Sequence, residues 1–159
     1  MSARCTLRTA EDTRALGRAL AGLLVAGDLV VLTGPLGAGK TVLVQGLGAG
    51  LGISTPVTSS TFVIARVHRG GRLPLVHADA YRLGSVAEVD DLDLDADAAE
   101  SVTVVEWGAG MVEGLADAHL QVRLDRVGTG ETRTAELVPL GGTWAARLTR
   151  LGCPCPGVP

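Results

Sequence analysis

The sequence predicts an α/β fold: three layers around a mixed parallel and antiparallel sheet of about seven strands, of the kind that carries a phosphate-binding loop. Three observations lead there. Gly34-Pro35-Leu36-Gly37-Ala38-Gly39-Lys40-Thr41 satisfies the G-x-x-x-x-G-K-[ST] pattern. A short apolar run, Asp28 to Thr33, precedes it as a buried strand, and Val42 to Leu51 can continue from it as a helix. Further along, two segments read as antiparallel hairpins, which a purely parallel, doubly wound sheet would not contain.

Glycines in such a loop let consecutive N–H groups point inward at phosphate oxygens, and the following helix aims its positive end at the same place. Lys40 is placed to reach the β- and γ-phosphates and the Thr41 hydroxyl to hold Mg²⁺. Every basic residue other than position 40 is arginine. A lysine kept here alone marks a site that needs a compact ammonium rather than a planar fork.

The chain has 159 residues, enough for one domain burying roughly 68–70% of the surface its unfolded form exposes. We expect a single domain over residues 1–151 and a disordered, proline-rich tail over 152–159. Hydrophobic residues make up 47% and aromatic residues 3%, so the core is aliphatic. A formal net charge of −3 disfavours direct, unaided nucleic-acid binding. No apolar run reaches the ~18 residues of a membrane span and the first residues lack a signal-peptide core, which points to a cytoplasmic protein. Cys5 stands alone, and Cys153 and Cys155 are badly spaced for a zinc site or a disulfide framework.

In chain order, Thr9 caps a helix with acids in its first turn and Leu16, Leu20, Leu23 and Leu24 on one face, and Gly27-Asp28 ends it. The glycines at 46, 48, 50 and 52 imply close packing of the helix after the loop and its end near Gly52. Phe62 to His68 and Leu73 to Ala78 form the first hairpin around Arg69-Gly70-Gly71-Arg72, running into Asp79. Ser85 to Glu88 is a capping box. Asp91, Asp93 and Asp95 mimic a calcium loop but fail its test, with Ala96 at the sixth position and Val102 at the twelfth, so they read as a solvated acidic stretch. Val102 to Val105 is a buried strand ending in Glu106. His119 to Arg126 and Thr132 to Leu140 form the second hairpin, and Trp144 to Leu151 a final helix.

Ligands in such sheets bind at the carboxyl ends of the strands. Asp79 and Glu106 both end apolar strands, and either can complete a Mg²⁺ shell or position the attacking water. The alternative for each is an acid that caps a turn or pairs with Arg82 or another arginine. Thr61 lies in a hydroxyl-rich loop suited to sensing a γ-phosphate, or is simply part of a Ser/Thr turn. His68 and His77 fall on adjacent hairpin strands, where packing is the expected role.

Taken together, Leu36-Gly37-Ala38-Gly39-Lys40-Thr41, Ser59-Ser60-Thr61-Phe62, His77-Ala78-Asp79-Ala80-Tyr81-Arg82-Leu83 and Val105-Glu106-Trp107 resemble the bacterial TsaE (YjeE) ATPases of tRNA threonylcarbamoyladenosine synthesis, over about residues 9 to 140. The resemblance implies that Lys40 and the loop residues Gly34, Leu36, Gly37, Ala38, Gly39 and Thr41 bind ATP. It further implies that Thr41 and Glu106 hold Mg²⁺, with Asp79 at the Walker B position and a further metal contact. Thr61 falls in the switch-like loop, Trp107 beside the nucleotide and Gly130 in a loop approaching it. It also implies a partner complex of TsaB and TsaD type acting on adenosine 37 of tRNA. Two departures stand out: Ser60 and Gly108 occupy positions where that family usually has proline, and both changes loosen a loop beside the site. A GTPase is excluded, since its Asn-Lys-x-Asp reader has no counterpart in a chain without asparagine. The remaining alternatives are a small-molecule kinase, with Arg66, Arg69 and Arg72 as a lid, and a nucleotide-dependent binding switch with little turnover.

Overall fold

The computed structural model describes residues 3–34, 39–53, 65–79, 100–106 and 118–151. Seven strands form one sheet: β1 (Ala3–Leu7), β2 (Leu29–Thr33), β3 (Ala65–His68), β4 (Leu75–Asp79), β5 (Val102–Glu106), β6 (His119–Arg126) and β7 (Arg133–Leu140), in the order β1-β7-β6-β2-β5-β4-β3. Three described helices accompany them, α1 (Ala10–Ala21), α2 (Lys40–Gly50) and α3 (Trp144–Leu148). The mixed sheet expected from the two hairpins is present. β6, β2, β5 and β4 run parallel at its centre, while β1 and β7 on one side and β3 on the other run antiparallel to their neighbours.

Sequence pattern follows position in the sheet. Leu29, Val30, Val31 and Leu32 of β2 are all buried, as are the five residues of β5, because a parallel strand at the middle of such a sheet has both faces covered. β6 and β7 alternate instead, with Leu120, Val122, Leu124, Ala135 and Leu137 inward and Arg123, Asp125 and Glu136 turned to the more open side. One residue in two therefore suffices for the antiparallel half.

The helix ends follow local chemistry. Thr9 accepts a hydrogen bond from the Asp12 amide at 3.1 Å, as an N-cap should. On the exposed side of α1, a hydrogen bond from Arg18 at 2.7 Å holds the Glu11 carboxyl below its usual range. Leu16 and Leu20 enter the core, and Leu24 joins them just beyond the helix.

α1 and α2 touch backbone to backbone. A Cβ on Gly17 would collide with the Leu43 carbonyl oxygen, one on Gly46 with the Arg14 carbonyl oxygen, and one on Gly50 would come within 2.5 Å of the Ala21 methyl. The glycine-rich sequence of α2 is thus a contact surface. It fixes α2 against α1, and Lys40 at the start of α2 reaches the Gly34 carbonyl just beyond β2.

The structure differs from the sequence reading in five places. β1 was not expected; it pairs antiparallel with β7, Ala3 with Leu137 through Leu7 with Arg133. Asp28 does not belong to the central strand: its carboxylate forms a two-pronged ion pair with Arg147, at 2.6 and 3.0 Å, and accepts the Val25 amide at 2.7 Å. The strands starting at Leu73 and Thr132 begin instead at Leu75 and Arg133, and the last helix stops at Leu148, where Thr149 caps it. The start of the first hairpin at Phe62, the capping box at 85–88, the acidic stretch at 91–97 and the tail at 152–159 lie outside the described residues. Among the described residues no helix is long and apolar enough to cross a membrane.

Arg147 is central to how α3 attaches. Beyond Asp28 it donates to the Leu23 carbonyl at 3.0 Å and lies over the Trp144 ring at 3.9 Å. Arg147→Met should therefore cost about 3–5 kcal/mol in urea unfolding, since it leaves Asp28 charged and buried. Gly46→Ala should cost about 1–3 kcal/mol by overpacking against immovable backbone. Gly22→Ala tests the same chemistry without the crowding: it has φ −66° and its nearest Cβ contact is at 3.4 Å, so it should be neutral or slightly stabilising.

Candidate functional site

The carboxyl ends of three neighbouring strands meet in register. Leu32 of β2 is the partner of Glu106, the last residue of β5, and Glu106 is the partner of Asp79, the last residue of β4. Parallel pairing places register partners on one face of the sheet, so the backbone positions of Asp79 and Glu106 share the face that carries Leu32. Gly34 follows two residues after Leu32, with φ 148°, and opens the glycine-rich loop. Both acids singled out by sequence therefore end adjacent strands beside the strand that leads into the loop.

The far end of the loop is set by Gly39, whose φ of 99° is one that L side chains rarely adopt. It is the N-cap of α2 and supplies no side-chain acceptor, leaving the first amides of the helix, those of Lys40, Thr41 and Val42, without carbonyl partners inside the helix. Lys40 donates from Nζ to the Gly34 carbonyl at 2.8 Å, joining the start of the loop to the helix that follows it. Lys40 and Thr41 are both half-buried. Helix N-terminus, lysine and glycine backbone thus converge beside the strand ends.

Glu106 is 8% exposed, and its Oε1 is fully buried with no hydrogen-bond partner among the described residues. The nearest cationic candidate is His77 Nε2 at 3.7 Å, beyond hydrogen-bond range. A buried carboxylate oxygen left in this way is costly by itself, about 1–3 kcal/mol or more for a charged group. A cation ligand is one arrangement that offsets such a cost.

Gly130 lies in the turn between β6 and β7, where its carbonyl accepts from Arg133 at 2.9 Å. Its neighbour Glu131 accepts the Ala10 amide at 3.2 Å, fixing this hairpin tip to the first turn of α1. Thr13 in that turn lies 3.8 Å from where a Cβ on Gly39 would be. The tip is thereby connected through α1 to the start of α2. Leu36, Gly37, Ala38, Thr61 and Trp107 lie outside the described residues.

Arg72 does not serve as a lid. Its guanidinium donates to the carbonyls of Ala21 at 2.7 Å and Leu24 at 3.1 Å, satisfying acceptors at the end of α1, while its amide donates to Leu51. Sequence reasoning missed this because the arginine and the helix end it closes are far apart in the chain. It also missed His77 as a neighbour of Glu106, because that proximity comes from the register of β4 against β5.

A central strand running through a glycine-rich loop into a helix, with acids on the ends of two neighbouring parallel strands, defines an α/β protein of the P-loop NTPase-like kind. Similarity narrows the class. A family model described as "Threonylcarbamoyl adenosine biosynthesis protein TsaE" matches residues 7–135. The chain is 57% identical over 138 residues to the tRNA threonylcarbamoyladenosine biosynthesis protein TsaE of Streptomyces coelicolor, covering 83% of this chain and 93% of that one. It is 39% identical over 122 residues to the protein of the same name from Bacillus subtilis, covering 76% of each. The crystal structure of Bacillus subtilis YdiB superposes with a TM-score of 0.76 at 28% identity, over 95% of this chain and 94% of that one. The chain belongs to the TsaE family, whose members function in threonylcarbamoyladenosine biosynthesis in tRNA.

Arg72→Ala should lower stability by about 1.5–3 kcal/mol through the loss of charged hydrogen bonds, measured by denaturant unfolding. Nucleotide affinity measured by calorimetry should not change, whereas a phosphate-gripping lid residue would weaken it.

Proposed function

We propose that this protein is a Mg²⁺-dependent ATPase that supports threonylcarbamoylation of adenosine 37 in tRNA together with a TsaB and TsaD type complex. The observation that carries the reading is the buried carboxylate of Glu106, in register with Leu32 two residues before Gly34. A carboxylate so placed fits a cation bound next to phosphates. The family membership supplies the pathway.

In this reading Lys40 exchanges its bond to the Gly34 carbonyl for the β- and γ-phosphate oxygens. The amides at the start of α2 and those of Gly37 and Ala38 cradle the phosphates, and Gly34, Leu36 and Gly39 shape the loop around them. Thr41 and Glu106 hold the cation, with Asp79 as the second acid, direct or through water. Bound Mg²⁺ neutralises charge on the β- and γ-oxygens. Thr61 senses the γ-phosphate, Trp107 borders the nucleotide beside Glu106, and the turn at Gly130 closes the side nearest α1. The acidic net charge suits docking on proteins rather than gripping tRNA. A kinase loses its main support with Arg72 engaged at the end of α1.

Two outcomes follow. Lys40→Ala should weaken Mg-ATP binding by an order of magnitude or more in calorimetry, given ~1.5–3 kcal/mol for a charged hydrogen bond, and unchanged affinity would end the assignment. Phosphate release by the isolated protein should be slow and should rise when the TsaB and TsaD pair is added, as nucleotide switches commonly respond to docking. Ser60→Pro should raise the basal rate; equal rates with and without partners would exclude activation by docking.

A further inference from the structure

Two buried polar atoms face each other near the strand ends, and neither has a hydrogen-bond partner among the described residues: Nε2 of His77 and Oε1 of Glu106, 3.7 Å apart. Their meeting follows from register. His77 is the β4 partner of Val104, and Glu106 stands two residues further along β5, so both project from the same face of the sheet. An atom left without a partner in the interior has lost its water and gained nothing in exchange. Two of them in mutual reach is an arrangement that one interaction resolves.

The gap exceeds an N–H···O hydrogen bond of about 3.0 Å by about 0.7 Å, a distance that small torsional adjustments of two side chains close. Hydrogen bonds in catalytic sites are commonly long in the unloaded protein and tighten when ligand binds. We infer that His77 is the positioning residue for Glu106: its Nε2–H donates to Oε1 and fixes the plane of the carboxylate, so that the other oxygen is presented to the divalent cation. This rests on the reading of Glu106 as a cation ligand made above. It requires only the neutral imidazole with its proton on Nε2. His77 is not itself the ligand, because Mg²⁺ takes oxygen donors and an imidazole suits softer metals.

The test uses the full chain, Mn²⁺ as the probe and a non-hydrolysable ATP analogue, with free Mn²⁺ read by electron paramagnetic resonance. His77→Leu removes the donor, His77→Gln keeps an amide N–H at a similar reach, and His77→Asn keeps an amide too short to reach. His77→Leu should weaken Mn²⁺ binding about tenfold or more, as loss of an outer partner of a metal ligand does, and His77→Gln should restore most of it. Binding of the analogue without metal should be the same in all four proteins. Should His77→Leu fail to fold, His77→Asn must show the same loss. Wild-type Mn²⁺ affinity in the donor-less variants, or equal weakness of His77→Gln and His77→Leu, overturns the role of His77 while leaving Glu106 as a ligand. If Glu106→Gln also leaves Mn²⁺ affinity unchanged, the ligand reading fails and the positioning role with it.

Discussion

The close approach of α1 and α2 is the constraint on which the rest of the site depends. Gly17, Gly46 and Gly50 bring the two helices to a separation where backbone meets backbone, and Ala21 fills the space that remains. A helix that starts at Lys40 and is held this tightly has little freedom to slide along its axis. Its first turn carries the lysine and the threonine that would meet phosphate and cation, and α1 carries the turn that receives Glu131 from the β6–β7 hairpin. Precision at a phosphate site usually comes from rigid elements behind it. Here that rigidity arises from residues with no side chain at all.

A second constraint is the two-sided burial of the central strands. β2 and β5 consist almost wholly of aliphatic residues because helices and loops must cover both faces. Such strands leave only their ends for polar chemistry, and that is where Thr33, Glu106 and Asp79 stand. Thr103 and Thr33 each bury a hydroxyl oxygen without a hydrogen-bond partner, for which the structure offers no physical account. The acid on β5 is different, since its position beside the loop gives its unpaired oxygen a use.

What could be read from the sequence was what depends on neighbours in the chain. The strand and helix on either side of the glycine-rich segment, the cap at Thr9, the glycine contact of α2 and the two hairpins are all local patterns, and each appears among the described residues within a few positions. β1 escaped because Ala3, Cys5 and Leu7 are a short and weakly apolar alternation, and the strand exists only through pairing with β7. Asp28 was legible as polar but not as half of an ion pair, since Arg147 comes from the other end of the chain. Arg72 looked like a free cation on a hairpin for the same reason. The proximity of His77 to Glu106 depends on the register of β4 against β5, which no spacing along the chain encodes.

The position of β1 has a consequence for the birth of the molecule on the ribosome. Ala3 to Leu7 leave the exit tunnel long before their partners, Arg133 to Leu137. The central strand β2 waits almost as long, because its neighbours are β5 and β6. Until those segments arrive, two early strands have no ladder to join and their backbone groups stay open to other chains. Such non-local pairing makes closure of the sheet a late and comparatively slow event, in which β1 cannot be placed before Arg133 to Leu137 have been synthesised.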